Sequence, residues 1–440
     1  MRILLLTTYF RPDVASTGVI MSTLAEQFVA RGHEVTVLAS VPHYDGNRVW
    51  PEFSRRWVYR EESSGIRIFR LYTYVARDRA NVAQRILSYG AFHLLSLLKG
   101  ATLRNHDVIL APSPPLSNGV IADLLARMHR IPFVYNVQDI WPDVAVRAGV
   151  LTGERTIQRL RAMERHVYRR AARIAVVAEG FRNNLLEKGI PPEKISVIPN
   201  FIDTEFITPQ PKANGFAAKH DLSDKFVVLF AGNMGFSQGL ETVLEAAKLL
   251  QDQRGIQFLL VGNGAGRNAA EERSRLMGLR NVQFLPFQPH RDLPEMYGSA
   301  EVCLIPLRRG FTGESVPCKL FSIMAAGRPA VAAVDSGSET WSLVERTQVG
   351  LCVQPEDPAA LAEAILHYRS HPEARLAAGR NARRCVETEF RPEPIADLYL
   401  DAMRAAIETA GGNGSPNSRA VHDRAVRDED RRVRLEQEGK

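Results

Sequence analysis

Residues 226–235 read Phe226-Val227-Val228-Leu229-Phe230-Ala231-Gly232-Asn233-Met234-Gly235, an unbroken apolar run that ends in a glycine-rich loop. Parallel strands covered on both faces have this composition. Behind the loop, Leu240, Val243, Leu244, Ala247 and Leu250 recur at helical spacing, and Leu249 widens the apolar face. This strand–loop–helix unit restarts a pattern that opens the chain. Ile3 to Thr7 is a first apolar run, followed by the loop Phe10-Arg11-Pro12-Asp13-Val14-Ala15-Ser16-Thr17-Gly18. A helix pattern then sets Ile20, Leu24, Phe28 and Val29 on one face, Gly32 stops it, and Glu34–Leu38 is the next strand. Val108–Ala111, Phe133–Val137, Ile174–Val177 and Ile195–Ile198 continue the first series, and Ile256–Val261, Val282–Leu285, Val302–Ile305 and Pro329–Ala333 the second. Two βαβ series predict an α/β protein of two doubly wound domains facing across a cleft. The length of 440 residues also exceeds what one hydrophobic core usually serves.

The expected domains are 1–205 and 206–390, joined by a linker between Phe201 and Asp224 that contains Pro209, Pro211 and Gly215. A helix pattern from about Pro394 to Ile407 fills 391–410, and the charged, apolar-poor stretch 411–440 reads as disordered. The net charge of +7 is unevenly spread. All of the basic excess falls before residue 206, in runs such as Arg55–Arg56–Arg60, Arg77–Arg79–Arg85 and Arg155–Arg159–Arg161–Arg165–Arg169–Arg170–Arg173. These are either solvated helix faces or a surface for an anionic membrane or phosphorylated acceptor. Nucleic acid is not expected, because helix-turn-helix, finger and aromatic-basic motifs are missing. Cys303, Cys318, Cys352 and Cys385 lack Cys-x-x-Cys spacing, and no Asp-x-Asp cluster in the expected folded part offers a metal site. Met1–Leu6 lacks a signal-peptide cleavage site, and no apolar run reaches the ~18 residues of a spanning helix. A cytoplasmic, soluble or peripheral protein is expected. Ile86 to Leu98 is apolar nearly all round and flanked by Arg85, Lys99 and Arg104, so it is either core or a monotopic anchor.

Residues 314–329 read Glu-Ser-Val-Pro-Cys-Lys-Leu-Phe-Ser-Ile-Met-Ala-Ala-Gly-Arg-Pro. Ser315 suits an N-cap, Pro317 a first helical turn and Gly327 the C′ position, while Pro329 prevents resumption. The free N–H groups and positive dipole end at Ser315, Val316 and Cys318 suit a diphosphate, and Lys319 adds a full charge. The alternative is a well-capped helix with no ligand.

This stretch resembles the donor signature of the family-4 glycosyltransferases of the GT-B fold, two Glu separated by seven residues before Ala-Met-Ala-x-Gly-x-Pro. Glu314 matches the first Glu, and Ser322 stands at the second, where the family grips the nucleotide ribose. Serine offers a hydrogen bond but not a carboxylate's paired acceptors. The resemblance runs over most of 1–405 and includes Tyr9–Pro12 with Gly18, Gly32–Val35, Gln138–Pro142, Val197–Asp203 and Gly262–Gly264. The loop Gly232–Leu240 is similar to a subgroup acting in bacterial exopolysaccharide and O-antigen assembly, fucosyl- and N-acetylfucosaminyl-type transferases among them. Other members carry an Arg and a Lys in this loop against the donor diphosphate. Asn233 and Gln238 stand there here, which leaves the cationic role to Lys319.

The resemblance implies an N-terminal acceptor domain, a C-terminal donor domain and a last helix that crosses back. It implies transfer of a glycosyl unit with retention, without metal or cofactor, from a nucleoside diphosphate sugar to a saccharide linked to a polyprenyl diphosphate. Glu314, Lys319 and Asp139 are the expected catalytic residues. Gly232, Asn233, Gly235, Gln238, Gly262, Ser315, Val316, Cys318 and Ser322 are expected to bind donor, and Ser16, Thr17, Gly18 and Gln138 acceptor. Gln138 stands where many members have His, so base chemistry is not expected of it. Asp139 either orients a hydroxyl or caps the next helix. The turn Gly262-Asn263-Gly264 passes close to the donor base and lacks dinucleotide-fingerprint spacing. A GT-B nucleotide-sugar epimerase and a non-catalytic sugar-nucleotide binder are the alternatives.

Overall fold

The computed structural model describes residues 1–13, 15–43, 48–75, 82–147, 149–311 and 317–411, with the backbone alone at 82–87. The N-terminal half contains β1 (Arg2–Leu6), α1 (Ser16–Ala30), β2 (Glu34–Ser40), β3 (Val58–Ser63), β4 (Ile66–Leu71), α2 (Val82–Thr102) and β5 (Val108–Ser113). It continues with α3 (Ser117–His129), β6 (Phe133–Val137), α4 (Asp143–Arg147), α5 (Glu154–Arg170), β7 (Arg173–Val176), α6 (Glu179–Glu187) and β8 (Ile195–Val197). The second half contains α7 (Gly215–Lys219), β9 (Phe226–Ala231), α8 (Leu240–Leu249), β10 (Ile256–Val261), α9 (Arg267–Leu276), β11 (Val282–Leu285), α10 (Leu293–Gly298) and β12 (Val302–Pro306). Then come α11 (Cys318–Ala325), β13 (Ala330–Ala333), α12 (Glu339–Thr347), β14 (Gly350–Val353), α13 (Pro358–Ser370), α14 (Pro372–Glu389) and α15 (Pro392–Gly411).

The first sheet has the order β3-β4-β2-β1-β5-β6-β7-β8 and the second β11-β10-β9-β12-β13-β14. Every pairing is parallel except β3 with β4. Both sheets reverse direction in strand order once, between β1 and β5 and between β9 and β12, and loops after those strands border the crevice where doubly wound folds take ligands. Helices cover both faces of each sheet, and β5 and β10 are buried along their whole lengths. That burial demands the uninterrupted apolar runs seen in the sequence.

The sequence passed over β3, β4 and β14. β3 is a half-exposed edge strand, and β4 carries the charged Arg67 and Arg70. Arg70 is nonetheless buried, with its charge met by Glu61 at 3.0 Å and by the carbonyls of Phe10 and Arg11. The expected linker is partly folded: Asn214 caps α7 through the Ala217 N–H, and Ile207, Phe216 and Leu222 join the second domain's core. α14 packs with that domain. α15 lies on the first domain, where Ile395, Tyr399, Leu400 and Met403 share a core with α1 and the sheet. The call on 411–440 falls, beyond Gly411, outside the described residues.

α2, α3 and α5 form an outer layer on one face of the first sheet. Gly119 lets them close up, since a Cβ there would stand 2.4 Å from Val167 Cγ1 and 2.8 Å from Tyr135 Cε2. Gly119→Ala is therefore expected to overpack this layer and cost about 1–3 kcal/mol, read as a lowered denaturation midpoint with an unchanged m value.

Candidate functional site

The C-terminal ends of β9 and β10 meet in a plate of backbone. Gly232, Gly262 and Gly264 have φ values of +144°, +145° and +153°, and a Cβ on Gly262 would lie 1.9 Å from the Gly232 carbonyl oxygen. Only glycine permits that approach. Gly232 N–H donates to Val261 O, Met234 N–H to Asn263 O and Gly266 N–H to Met234 O. Arg267 seals the far side by donating to the carbonyls of Gly262 and Leu285. The expected donor residues Gly232, Asn233, Gly235 and Gly262 are thus gathered on one rigid edge.

Lys319 reaches this edge from the first turn of α11. Its ammonium donates to Gln238 Oε1 at 2.6 Å and lies 4.2 Å over the Phe230 ring. A Cβ on Gly232 would sit 3.6 Å from Nζ. Burial lowers the Lys319 pKa to about 7, with no carboxylate among the described residues opposing the shift. Gln238, at a loop position the resemblance gives to a cation in other members, holds Lys319 in place. Arg308 lies over Phe236 and toward Glu241, and Arg309 toward Glu356.

α11 begins later than expected. Pro317 is its N-cap, in an extended conformation, and Cys318 is the first helical residue. Ser315 therefore is not the residue from which the helix starts. Glu314, Ser315 and Val316 lie outside the described residues. Gly327 takes φ +63°, as the C′ reading requires. Ser322 is half-buried one turn after Lys319, close to the buried Tyr297 hydroxyl.

Opposite, Ser16, Thr17 and Gly18 form the first turn of α1. Gly18 packs on Tyr9, where a Cβ would come within 3.0 Å of the tyrosine Cβ. Ser22 Oγ donates to Gly18 O and accepts from Arg11 N–H, which fixes the loop. Asp13 and His43 lie buried here, with the His43 N–H donating to Asp13 Oδ1 at 3.1 Å and Nδ1 2.8 Å from Val41 O. Sequence reasoning singled out neither as a site residue. A cavity of about 500 Å3 opens beside this loop, lined by Phe10, Arg11, Asp13, Glu61, Arg70 and, from the second domain, His290.

Gln138 is less available than an acceptor-binding role asks. Its Oε1 accepts from Asn200 at 2.9 Å, and its Nε2 donates to Asn136 Oδ1 at 2.8 Å. Asn136 in turn donates to the Tyr399 hydroxyl at 2.7 Å, and Asn200 also approaches Cys318 Sγ at 3.7 Å. One polar chain thus joins the donor helix, the interdomain crossing, β6 and α15. Burial pushes the Cys318 thiol up to about 11, with the nearby Asp139 contributing. Asp139 is half-buried at the end of β6, and α4 begins only at Asp143. The signal for this chain was present in Asn136, a polar residue inside the buried run Phe133–Val137. Among the described residues no group of three or more His, Cys, Asp or Glu is placed to hold a metal.

The fold and this cleft have counterparts in known proteins. Residues 17–200 match the glycosyl transferase 4-like domain and residues 225–371 the glycosyl transferases group 1 family. The chain belongs to the family-4 glycosyltransferases of the GT-B fold. It is 28% identical over 398 residues to the putative colanic acid biosynthesis glycosyl transferase WcaI of Escherichia coli K12, covering 88% of this chain and 97% of that one. The probable glycosyltransferase WbjE of Pseudomonas aeruginosa is 27% identical over 62% of this chain and 68% of its own. Sucrose-phosphate synthase of Thermosynechococcus elongatus superposes with a TM-score of 0.69 at 20% identity, over 93% of this chain and all of that one. HepE of Anabaena, in complex with UDP, superposes with a TM-score of 0.68 at 17% identity, over 92% and 100%.

The Lys319 environment carries a pH signature. A bound diphosphate favours the charged amine, so the complex binds more protons than the empty protein above pH ~7. Nucleoside diphosphate affinity is expected to fall as pH rises from about 7 to 9, by at most ~10-fold per unit. Calorimetric titration of Lys319→Met should give weaker binding without that slope. In the empty protein the lowered pKa means fewer protons folded than unfolded between about 7 and the usual 10.5. This group's contribution to stability therefore rises with pH across that window.

Proposed function

We propose that the protein transfers a glycosyl unit, with retained anomeric configuration, from a nucleoside diphosphate sugar to a lipid-linked saccharide in bacterial surface-polysaccharide assembly. The observation that carries this reading is the desolvated Lys319 ammonium at the tip of β9, beside a glycine plate and, among the described residues, without a carboxylate partner. A preorganised cation in such surroundings favours the charge that builds on a departing diphosphate. HepE, whose complexes hold UDP and UDP-glucose, supports a nucleotide-sugar donor by likeness of fold. WcaI, named for colanic acid biosynthesis, supports a place in surface-polysaccharide synthesis, and WbjE, a probable glycosyltransferase, supports glycosyl transfer.

In this reading Gly232, Asn233, Gly235 and Gly262 bear the nucleoside diphosphate, and Ser322 meets the ribose. Glu314 holds the transferred sugar, Ser315, Val316 and Cys318 assist at the diphosphate, and Asp139 orients a hydroxyl. The loop at Ser16–Gly18 takes the acceptor, while Gln138 acts on it through position, its amide being engaged with Asn136 and Asn200. The reaction needs neither metal nor cofactor. It takes place at the cytoplasmic face of the plasma membrane, where a polyprenyl-linked acceptor is presented.

Incubation with a panel of nucleotide sugars, with and without polyprenyl-diphosphate saccharide, tests the reading. Release of nucleoside diphosphate that depends on acceptor is expected. An altered nucleotide sugar without acceptor would indicate epimerisation, and binding without product a non-catalytic binder. With a donor in hand, Glu314→Gln should lower turnover by about 10²–10³ while nucleoside diphosphate affinity stays near normal. Equal losses in both would remove Glu314 from the sugar.

A further inference from the structure

The outer face of the first domain carries a surface that the transfer reaction does not use. α2 turns Phe92 and Ser96 into the core, and leaves Leu94 and Leu98 59% and 58% exposed. α3 runs parallel beside it. His93 meets Asn118 at 3.1 Å, a Cβ on Gly100 would touch Leu125, and His129 reaches the Gly100 carbonyl at 2.9 Å. On α3, Leu124 and Met128 are also exposed, at 38% and 56%. These four side chains are a third of the large exposed apolar residues among those described. They lie one turn apart in pairs on adjoining helices, with half-buried Leu97 on the same outer layer. Single exposed apolar residues need no explanation, but a contiguous patch does.

The charge around the patch is mostly positive. α2 has no acidic residue, and α3 has only Asp123, which is buried and bonded to Arg127, His166 and Arg170. On α5, Glu154 is exposed at the first position and Glu164 is buried against Lys188, while Arg155, Arg159, Arg165 and Arg169 are exposed. Arg104 and Arg130, at the ends of α2 and α3, are exposed as well. Lys99, a flanking charge in the sequence, instead lies 4.3 Å over Phe69. No described helix is long and apolar enough to cross a membrane.

We propose that this face of α2, α3 and α5 docks on the surface of an anionic lipid bilayer, with Leu94, Leu98, Leu124 and Met128 entering the interface and the arginines meeting lipid phosphates. An apolar patch supplies burial, and a rim in which arginines outnumber exposed carboxylates, with Asp123 and Glu164 already paired, supplies attraction to the headgroups. The proposal rests on a lipid-linked acceptor, since docking holds the cleft beside such a substrate without a spanning helix.

The test is sedimentation of the purified protein with phosphatidylcholine vesicles that do or do not contain phosphatidylglycerol. Binding is expected only with phosphatidylglycerol, and it should weaken as salt rises. A Leu98→Ser/Met128→Ser double variant should lose about tenfold or more in partitioning. An Arg104→Gln/Arg130→Gln/Arg169→Gln variant should lose its phosphatidylglycerol dependence. All of these residues are exposed, so melting curves and nucleoside diphosphate affinity should match the parent. A parent that ignores phosphatidylglycerol, or variants that sediment as it does, overturns the proposal. A parent dimer that dissociates in the leucine variant also overturns it, in favour of a second copy on this face. Donor cleavage in solution, measured alongside, keeps this outcome separate from the transferase reading: its presence without vesicle binding rejects the surface alone.

Discussion

A parallel sheet has to be covered on both faces, because the crossover helices that join its strands can lie nowhere else. Both halves of this chain obey that constraint, and it settles where chemistry can occur. With faces and helices committed to burial, the strand ends remain. Each strand order reverses at one point, so the loops after β1 and β9 are left without a neighbour of their own sheet to continue into. The cleft is the meeting of those two openings. Placing α15 on the first domain, through Tyr399 and Met403, ties the end of the chain to the sheet that does not contain the donor loops.

At the edge proposed to bind the donor, two requirements oppose each other. The β9 and β10 loops approach so closely that side chains are excluded, which strips the edge of residues able to carry charge. A diphosphate nevertheless needs positive charge. The chain resolves the conflict by sending Lys319 across from α11, so that the cation comes from a helix and the loop contributes only backbone and Gln238. The amide can hold an ammonium without neutralising it, which a carboxylate would do. The resulting lysine is easier to deprotonate than usual, because desolvation acts with no anion among the described residues to offset it.

Most of the fold was legible because buried parallel strands write themselves as apolar runs: Phe226–Ala231 and Ile256–Val261 are strands with those bounds. Legibility failed where burial and polarity part company. β4 was missed because Arg70, a buried residue with three partners, reads in sequence as a surface charge. The start of α11 was misplaced because Ser315 has the side chain of a cap, whereas Pro317 takes the position by its fixed φ alone. The apolar helix α2 reads in sequence as core or anchor; one of its faces, with Phe92 and Ser96, is core, and the other leaves Leu94 and Leu98 exposed. In the site, Lys319 could be named from its spacing, but its partners Gln238 and Phe230 come from another element, and no local pattern reports a contact across 81 residues.

The polar chain from Cys318 through Asn200 and Gln138 to Asn136 and Tyr399 explains how the cleft tolerates glutamine in a position the resemblance gives to histidine. A histidine that turned one ring nitrogen to the sugar would give up its bond to Asn136 or to Asn200, both buried. Buried amides without partners are costly, on the order of 1–3 kcal/mol each. Glutamine supplies an acceptor to one and a donor to the other at the same time, and each bond runs in one direction along the chain. The residue is therefore held by the geometry of the interdomain crossing as much as by any substrate. The same bonds connect α11 of the second domain to β6 and α15 on the first.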